Sequence, residues 1–138
     1  MFTGTTTNNI DSKGRIVLPA RFREELGDTF ILTRGFLDCL QVLSLPEFEG
    51  LRKKIKELPA LQAMKLQYKV IATAVEVSPN SQGRISIPAN LRKAAALDKN
   101  ATVVGMDNRI EIWDEDKFNE MISTNDETIE AALQLLSL

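Results

Sequence analysis

Apolar positions along this chain fall into short alternating runs separated by polar turns, with helical spacing confined to the longer segments between them. Residues 2–10 are threonine-rich and predict an opening strand, because threonine favours extended backbone. Residues 72–77 alternate small or apolar with polar side chains and predict its counterpart. Residues 15–18 and 84–87 each predict a short strand, closed by Pro19 and Pro88. Proline sits well in the first turn of a helix, where its missing N–H costs little, so short helices are predicted over residues 20–26 and 89–96. Residues 29–33 and 39–43 then read as two strands joined by a turn through 34–38, and residues 102–104 and 109–113 repeat that pattern around 105–108.

Two longer helices follow these hairpins. Ser44-Leu45-Pro46-Glu47 has capping-box spacing and predicts a helix with Phe48, Leu51, Ile55 and Leu58 on one face. Arg52, Lys53 and Lys56 fall largely on the other face, as a solvated surface usually does. Asp114-Glu115-Asp116-Lys117 predicts the equivalent start, with acidic residues suited to the helix dipole and Phe118 and Met121 or Ile122 facing inward. Leu58-Pro59 ends the first of these helices. Leu61, Met64, Tyr68 and Ile71 recur at helical spacing in a further one that joins the two halves, with Met64, Tyr68 and Trp113 expected in the core. A loop over 123–127 leads to a last short helix over 128–136. The leucines at 133, 135, 136 and 138 make an apolar end expected to pack on the body or on a neighbouring subunit.

The pattern is doubled. Asp11-Ser12-Lys13-Gly14-Arg15-Ile16-Val17-Leu18-Pro19-Ala20-Arg21-Phe22-Arg23 returns 69 positions later as Asn80-Ser81-Gln82-Gly83-Arg84-Ile85-Ser86-Ile87-Pro88-Ala89-Asn90-Leu91-Arg92, with seven of 13 pairs identical. In the hairpins the offset reads as 70, one residue having been inserted between. Self-similarity at a fixed period outranks any single motif. Each copy is a loop, a strand and a short helix. The Asp11 or Asn80 side chain can accept from backbone N–H groups two residues on, and Gly14 or Gly83 can take φ > 0 without a Cβ clash. The expected organisation is two repeats, 1–70 and 71–138, interlocked as one domain.

Composition narrows the chemistry. At 138 residues and 43% hydrophobic, the chain suits one ordinary globular domain. The opening residues turn polar at once and no apolar run approaches the roughly 20 residues that span a bilayer, so a soluble cytoplasmic protein with no membrane partner is expected. Cys39 is the single cysteine and there is no histidine, which argues against a zinc site and against imidazole catalysis. Cys39 lies in a mostly apolar run and reads as a buried thiol without a disulfide partner. No nucleophile–base pair can be assembled, Gly14-Arg15 lacks the flanking glycines of a phosphate-cradling loop, and neither enzyme activity, cofactor nor metal is expected.

Net charge is −2, yet residues 1–70 carry 11 Lys/Arg against 8 Asp/Glu while residues 71–138 carry 6 against 11. A polyanion must then be met by local basic features rather than by the overall field. One loop arginine is ordinarily a solvated charge or the partner of a carboxylate such as Asp11. Two matched Gly-Arg loops related by a pseudo-twofold present two cations on one side, an arrangement suited to DNA, where arginine binds phosphate or guanine bidentately.

Asp11-x-x-x-Arg15 and Asn80-x-x-x-Arg84, each followed by an aliphatic strand and Pro-Ala, resemble the MraZ family of bacterial transcriptional regulators; Met1-Phe2-x-Gly4 and Ile112-Trp113-Asp114 fit as well. The likeness covers essentially the whole chain. It implies an α+β fold, a swapped-hairpin AbrB-like β-barrel built from two internal repeats with flanking helices, and a ring-shaped homo-oligomer. It also implies a sequence-specific, nucleoid-associated regulator of the cell-division and cell-wall gene cluster that binds direct repeats in double-stranded DNA upstream of its own gene. Lys13, Arg15, Gln82 and Arg84 are the expected DNA-binding residues. Asp11, Gly14, Asn80 and Gly83 support the loops, and Arg21, Arg23 and Arg92 are second-line phosphate contacts. Asn80 departs from the family pattern and puts an Asp–Arg pairing in the second loop in question. The alternative reading is an antitoxin-like or scaffold module that binds acidic protein patches and no DNA.

Overall fold

Two strands leave their own half of the chain to pair with the other half, and the architecture follows from that exchange. A computed structural model describes residues 1–138. The first half runs β1 (Thr5–Asn9), β2 (Arg15–Val17), α1 (Ala20–Leu26), β3 (Phe30–Arg34), β4 (Leu40–Ser44), α2 (Leu45–Lys56) and α3 (Ala60–Leu66), which passes into a π-helical turn at Gln67–Ile71. The second runs β5 (Val75–Val77), β6 (Arg84–Ser86), α4 (Ala89–Ala94), β7 (Asn100–Met106), β8 (Arg109–Asp114), α5 (Glu115–Ser123) and α6 (Glu127–Leu135). Six strands form an antiparallel sheet in the order β1-β7-β8-β4-β3-β5, and β2 pairs with β6 in a separate ribbon. Thus β1 flanks the hairpin of the second repeat and β5 flanks the hairpin of the first. This is the swapped-hairpin arrangement of a two-repeat α+β fold.

The pseudo-twofold can be located from the register. Ile16 faces Ile85 in the ribbon, and Gln41 faces Glu111 in the sheet. Both are pairs of equivalent residues of the two repeats, so the axis passes between the members of each. The backbone bonds beside the ribbon obey it too: Leu18 N–H donates to Gly83 O at 3.0 Å and Ile87 N–H to Gly14 O at 2.9 Å.

Alternation along the strands builds one core from both halves. Phe30, Leu32, Leu40, Val42, Ala101, Val103, Ile110 and Ile112 point inward from the sheet, and Ile16, Leu18, Ile85 and Ile87 meet them from the ribbon. Phe22 and Leu26 of α1 and Leu91 of α4, with Ala95 and Leu97 just beyond it and Phe2 from the N-terminus, complete the cluster. Each large apolar side chain so buried contributes about 1.5–3 kcal/mol. The outer face of the sheet is covered by helices. Ser44 Oγ accepts from Glu47 N–H and starts α2, whose Ile55 is buried. Thr33 Oγ1 donates to Val70 O at 2.5 Å, which ties β3 to the π-helical turn. Beside β8, Trp113 meets Phe118 of α5 at 6.3 Å between ring centroids.

Several expectations are corrected here. Leu61, Met64 and Tyr68 do share a helical face, but it points away from the sheet, with exposures of 63%, 46% and 69%. Ala63 and Val70 face inward instead. Apolar residues occur all round this segment, so spacing alone does not choose the buried face, and small Ala63 permits the closer approach. The repeat offset also advances in two steps. Phe30 faces Ser44 and Ala101 faces Asp114, which makes β7 equivalent to β3 at offset 71 and β8 equivalent to β4 at 70. The loop after α4 is longer by two residues and the β7–β8 turn shorter by one. That turn leaves only Asp107 and Asn108 between the paired Met106 and Arg109, with Asp107 at φ 65°. Finally, the apolar C-terminus does not pack on the body of its own chain: every residue from 121 to 138 is exposed. No helix is long and apolar enough to cross a membrane.

Candidate nucleic-acid interface

The first loop is organised by one side chain. Asp11 Oδ1 accepts from the backbone N–H groups of Lys13 and Arg15, each at 2.9 Å, while Asp11 O accepts from Gly14 N–H at 3.0 Å. Gly14 takes φ 76°, which an L side chain rarely adopts. The second oxygen, Oδ2, accepts from Arg15 Nε at 2.7 Å. These N–H donors, led by the Arg15 backbone and followed by its guanidinium, outweigh partial desolvation and hold the Asp11 carboxyl below its usual range. Arg15 is therefore clamped by Nε with its two terminal nitrogens left for another acceptor.

The second loop has the same backbone and a different charge. Asn80 Oδ1 accepts from Gln82 N–H at 3.0 Å and Arg84 N–H at 2.9 Å, and Gly83 again sits at φ 76°. Asparagine has no second carboxylate oxygen. The Arg84 guanidinium accordingly makes no hydrogen bond or ion pair within the chain. The Asx oxygen sets the turn in both loops, whereas only the carboxylate fixes an arginine.

The ribbon brings the two loops together. Gly14, Ile16, Leu18 and Gly83, Ile85, Ile87 are buried, so the intervening residues face outward. Arg15 is paired with Ser86 and Val17 with Arg84. Diagonal positions of an antiparallel pair lie roughly 7 Å apart, which makes Arg15 and Arg84 neighbours on one exposed surface. Lys13 and Gln82 extend it at opposite ends. The surface lies across the core from the layer of α2, α3 and α5. Val17 and Ser86 complete it and were not anticipated. Their signal was the period-2 alternation itself, which places 13, 15, 17 and 82, 84, 86 on one side.

Arg21, Arg23 and Arg92 have partners inside the fold. Arg23 Nε donates to Leu18 O at 3.0 Å, and its guanidinium lies across Gly83, where a Cβ would come within 2.7 Å of Cζ. Arg92 repeats this by donating to Ile87 O and lying across Gly14, with Cζ at 2.7 Å from a Cβ position. Each helix arginine thus underpins the loop of the opposite repeat. Arg21 donates to Thr3 O at 2.6 Å and stacks over Phe22 at 4.3 Å, at the N-terminal strand.

The Asp11 carboxylate is taken up by the turn and by Arg15, and the chain's one thiol lies away from the ribbon, in a separate cluster with Val104 and Trp113. The Cys39 thiol is buried, and burial, followed by the neighbouring Glu111 carboxylate, pushes its pKa up to about 12. Glu111 is itself satisfied by Arg109 Nη2 at 3.0 Å and Trp113 Nε1 at 2.9 Å. What the ribbon face can do is bind an anion, by two guanidinium groups and an ammonium on a rigid support.

A family model described as "MraZ protein, putative antitoxin-like" matches residues 1–67 and again residues 70–136. The two matched segments begin 69 residues apart, the same offset as the doubled loop motif.

Proposed function

The chain belongs to the MraZ family, and from that premise we propose that it is a sequence-specific DNA-binding transcriptional regulator whose reading surface is the outer face of the β2–β6 ribbon. The observation that carries this is the diagonal placement of Arg15 and Arg84 on one exposed face. The major groove of B-DNA, about 12 Å wide, admits a two-stranded ribbon, and arginine pairs bidentately with guanine or phosphate there. Lys13, Arg15, Gln82 and Arg84 contact the DNA. Asp11, Asn80, Gly14 and Gly83 shape the loops. Arg23 and Arg92 position them from beneath, and Arg21 secures the N-terminal strand. The regulated genes are the division and cell-wall cluster, the operator a set of direct repeats upstream of the protein's own gene, and the working form a ring-shaped homo-oligomer on the nucleoid. With a net charge of −2, the chain gains affinity from focused loops, multiplied around the ring.

The antitoxin-like wording of the family description favours a second reading, in which the same cations bind an acidic protein surface. Gel shifts decide between them. The DNA upstream of the gene and a scrambled duplex of equal length are titrated at low and at high salt. Preference for the upstream DNA that persists at high salt is expected; equal, weak binding to both duplexes sinks the regulator reading.

A further inference from the structure

The helices at the end of each repeat carry opposite charge and matching apolar surface. Residues 45–71, comprising α2, α3 and the π-helical turn, hold six Lys/Arg against three Asp/Glu. Residues 115–138, comprising α5 and α6, hold one Lys against six Asp/Glu. On the basic end an open groove of about 370 Å³ runs between α2 and α3, floored by Ile55 and Ile71, with Met64 and Tyr68 at its sides and Arg52 and Lys56 at its rim. On the acidic end Ile129, Leu133 and Leu136 form a stripe at helical spacing, followed by Leu138, and none of them is buried. Asp126, Glu127 and Glu130 stand at the start of the same helix.

We propose that α6 of one subunit docks in the α2–α3 groove of the next copy of this chain, with its acidic first turns toward Arg52 and Lys56. The inference rests on the homo-oligomeric reading above and names the surfaces that build it. A helix of nine residues is roughly 13 Å long, comparable with the length of α3 and its π-helical turn. Within this chain the two surfaces do not meet: the groove is lined only by residues between Arg52 and Ala72, and none of α5 or α6 reaches it. Like patches also repel, because groove against groove sets basic on basic and tail against tail sets acidic on acidic. The interface is therefore heterologous, and such contacts propagate until rotation closes them into a ring.

Two double variants at exposed positions test this, Met64→Glu/Tyr68→Glu in the groove and Leu133→Glu/Leu136→Glu in the tail. Sedimentation at micromolar concentration should show a wild type larger than a dimer, and its mass should fall as salt screens the contact. Each variant alone should be a monomer. Mixed in equal amounts they should form a one-to-one dimer and stop, because only one intact groove and one intact tail remain. A wild-type monomer, a variant that keeps the wild-type mass, or a mixture that stays monomeric overturns the proposal. Circular dichroism checks folding, and Lys53→Glu/Lys56→Glu replaces the groove variant should it unfold. Failure here is separable from failure of the DNA reading. Variants that remain assembled and bind operator leave only the interface wrong, and an assembled wild type that ignores operator leaves only the DNA reading wrong.

Discussion

Ile16 stands directly opposite Ile85 in the ribbon, and the two are the same position of the two repeats. The contact at the centre of the candidate interface is thus a contact between halves. Neither repeat holds a complete sheet edge or a complete core by itself.

Separated halves should therefore not fold as monomers. Fragments 1–70 and 71–138, expressed apart, are expected to be insoluble, unfolded or self-paired, as read by circular dichroism and sizing. Either one as a well-folded monomer contradicts the interlocked architecture.

Arg15→Ala should weaken operator binding out of proportion to one contact, since every subunit on the DNA loses it together. Loss of a phosphate contact lowers the slope of log K against log salt by about 0.9. Loss of a guanine contact costs roughly 1–3 kcal/mol of discrimination and moves the slope less. Arg84→Ala should act in the same direction with a smaller effect, because Arg84 is unclamped and its loop carries Gln82 where the first carries Lys13. Folded, oligomeric variants with wild-type affinity at both positions remove the ribbon face from the DNA.

The Asx pair separates turn formation from charge. Asp11→Asn keeps Oδ1 and loses the Oδ2 bond to Arg15 Nε, so operator affinity should fall several-fold, while Asn80→Asp supplies the missing oxygen and should change affinity through Arg84. No change in either variant leaves the Asx side chains a turn role only.

Asp11 also makes a prediction for pH. Its folded pKa lies below the unfolded value, which is near 3.9. The stability it contributes is complete above that value and is lost as pH falls through the folded pKa. In urea unfolding, the gap between wild type and Asp11→Asn should be open at neutral pH and narrow below about pH 4. A gap that stays constant into acid means that the carboxylate charge contributes nothing.

Gly14→Ala and Gly83→Ala should each destabilise the protein by about 1–3 kcal/mol, from the left-handed backbone and the displaced arginine together. Because Arg92 lies over Gly14, the cost of Gly14→Ala should be partly relieved in an Arg92→Ala background. Strict additivity in that cycle denies the lock.

Much of this architecture was legible because turn chemistry stands at fixed offsets. Asp or Asn, then Gly three residues on, then Pro-Ala, bracket strands too short for any other reading, and α1 runs over the predicted Ala20–Leu26. The loop residues Lys13, Arg15, Gln82 and Arg84 are marked by the same spacing. What local pattern does not carry is partnership. That Arg23 reaches Gly83, and that Val17 stands beside Arg84, depends on strand pairing across nearly 70 residues. The outward stripe of Leu61, Met64 and Tyr68 was misplaced for a related reason: spacing shows that residues share a face, while the neighbour that covers it lies elsewhere in the chain or on another copy.

The two ends of the ribbon are alike in backbone and unlike in side chain, Asp11 and Lys13 at one and Asn80 and Gln82 at the other. A true homodimer must present the same face from either direction and so matches a palindrome. Joining both copies in a single polypeptide lifts that obligation, since each loop can mutate without changing its twin. The surface thereby acquires a left and a right, and on the regulator reading proposed above a duplex seated on it would acquire a preferred orientation. Successive sites along such a duplex would be written in the same direction, like words, rather than mirrored about a centre.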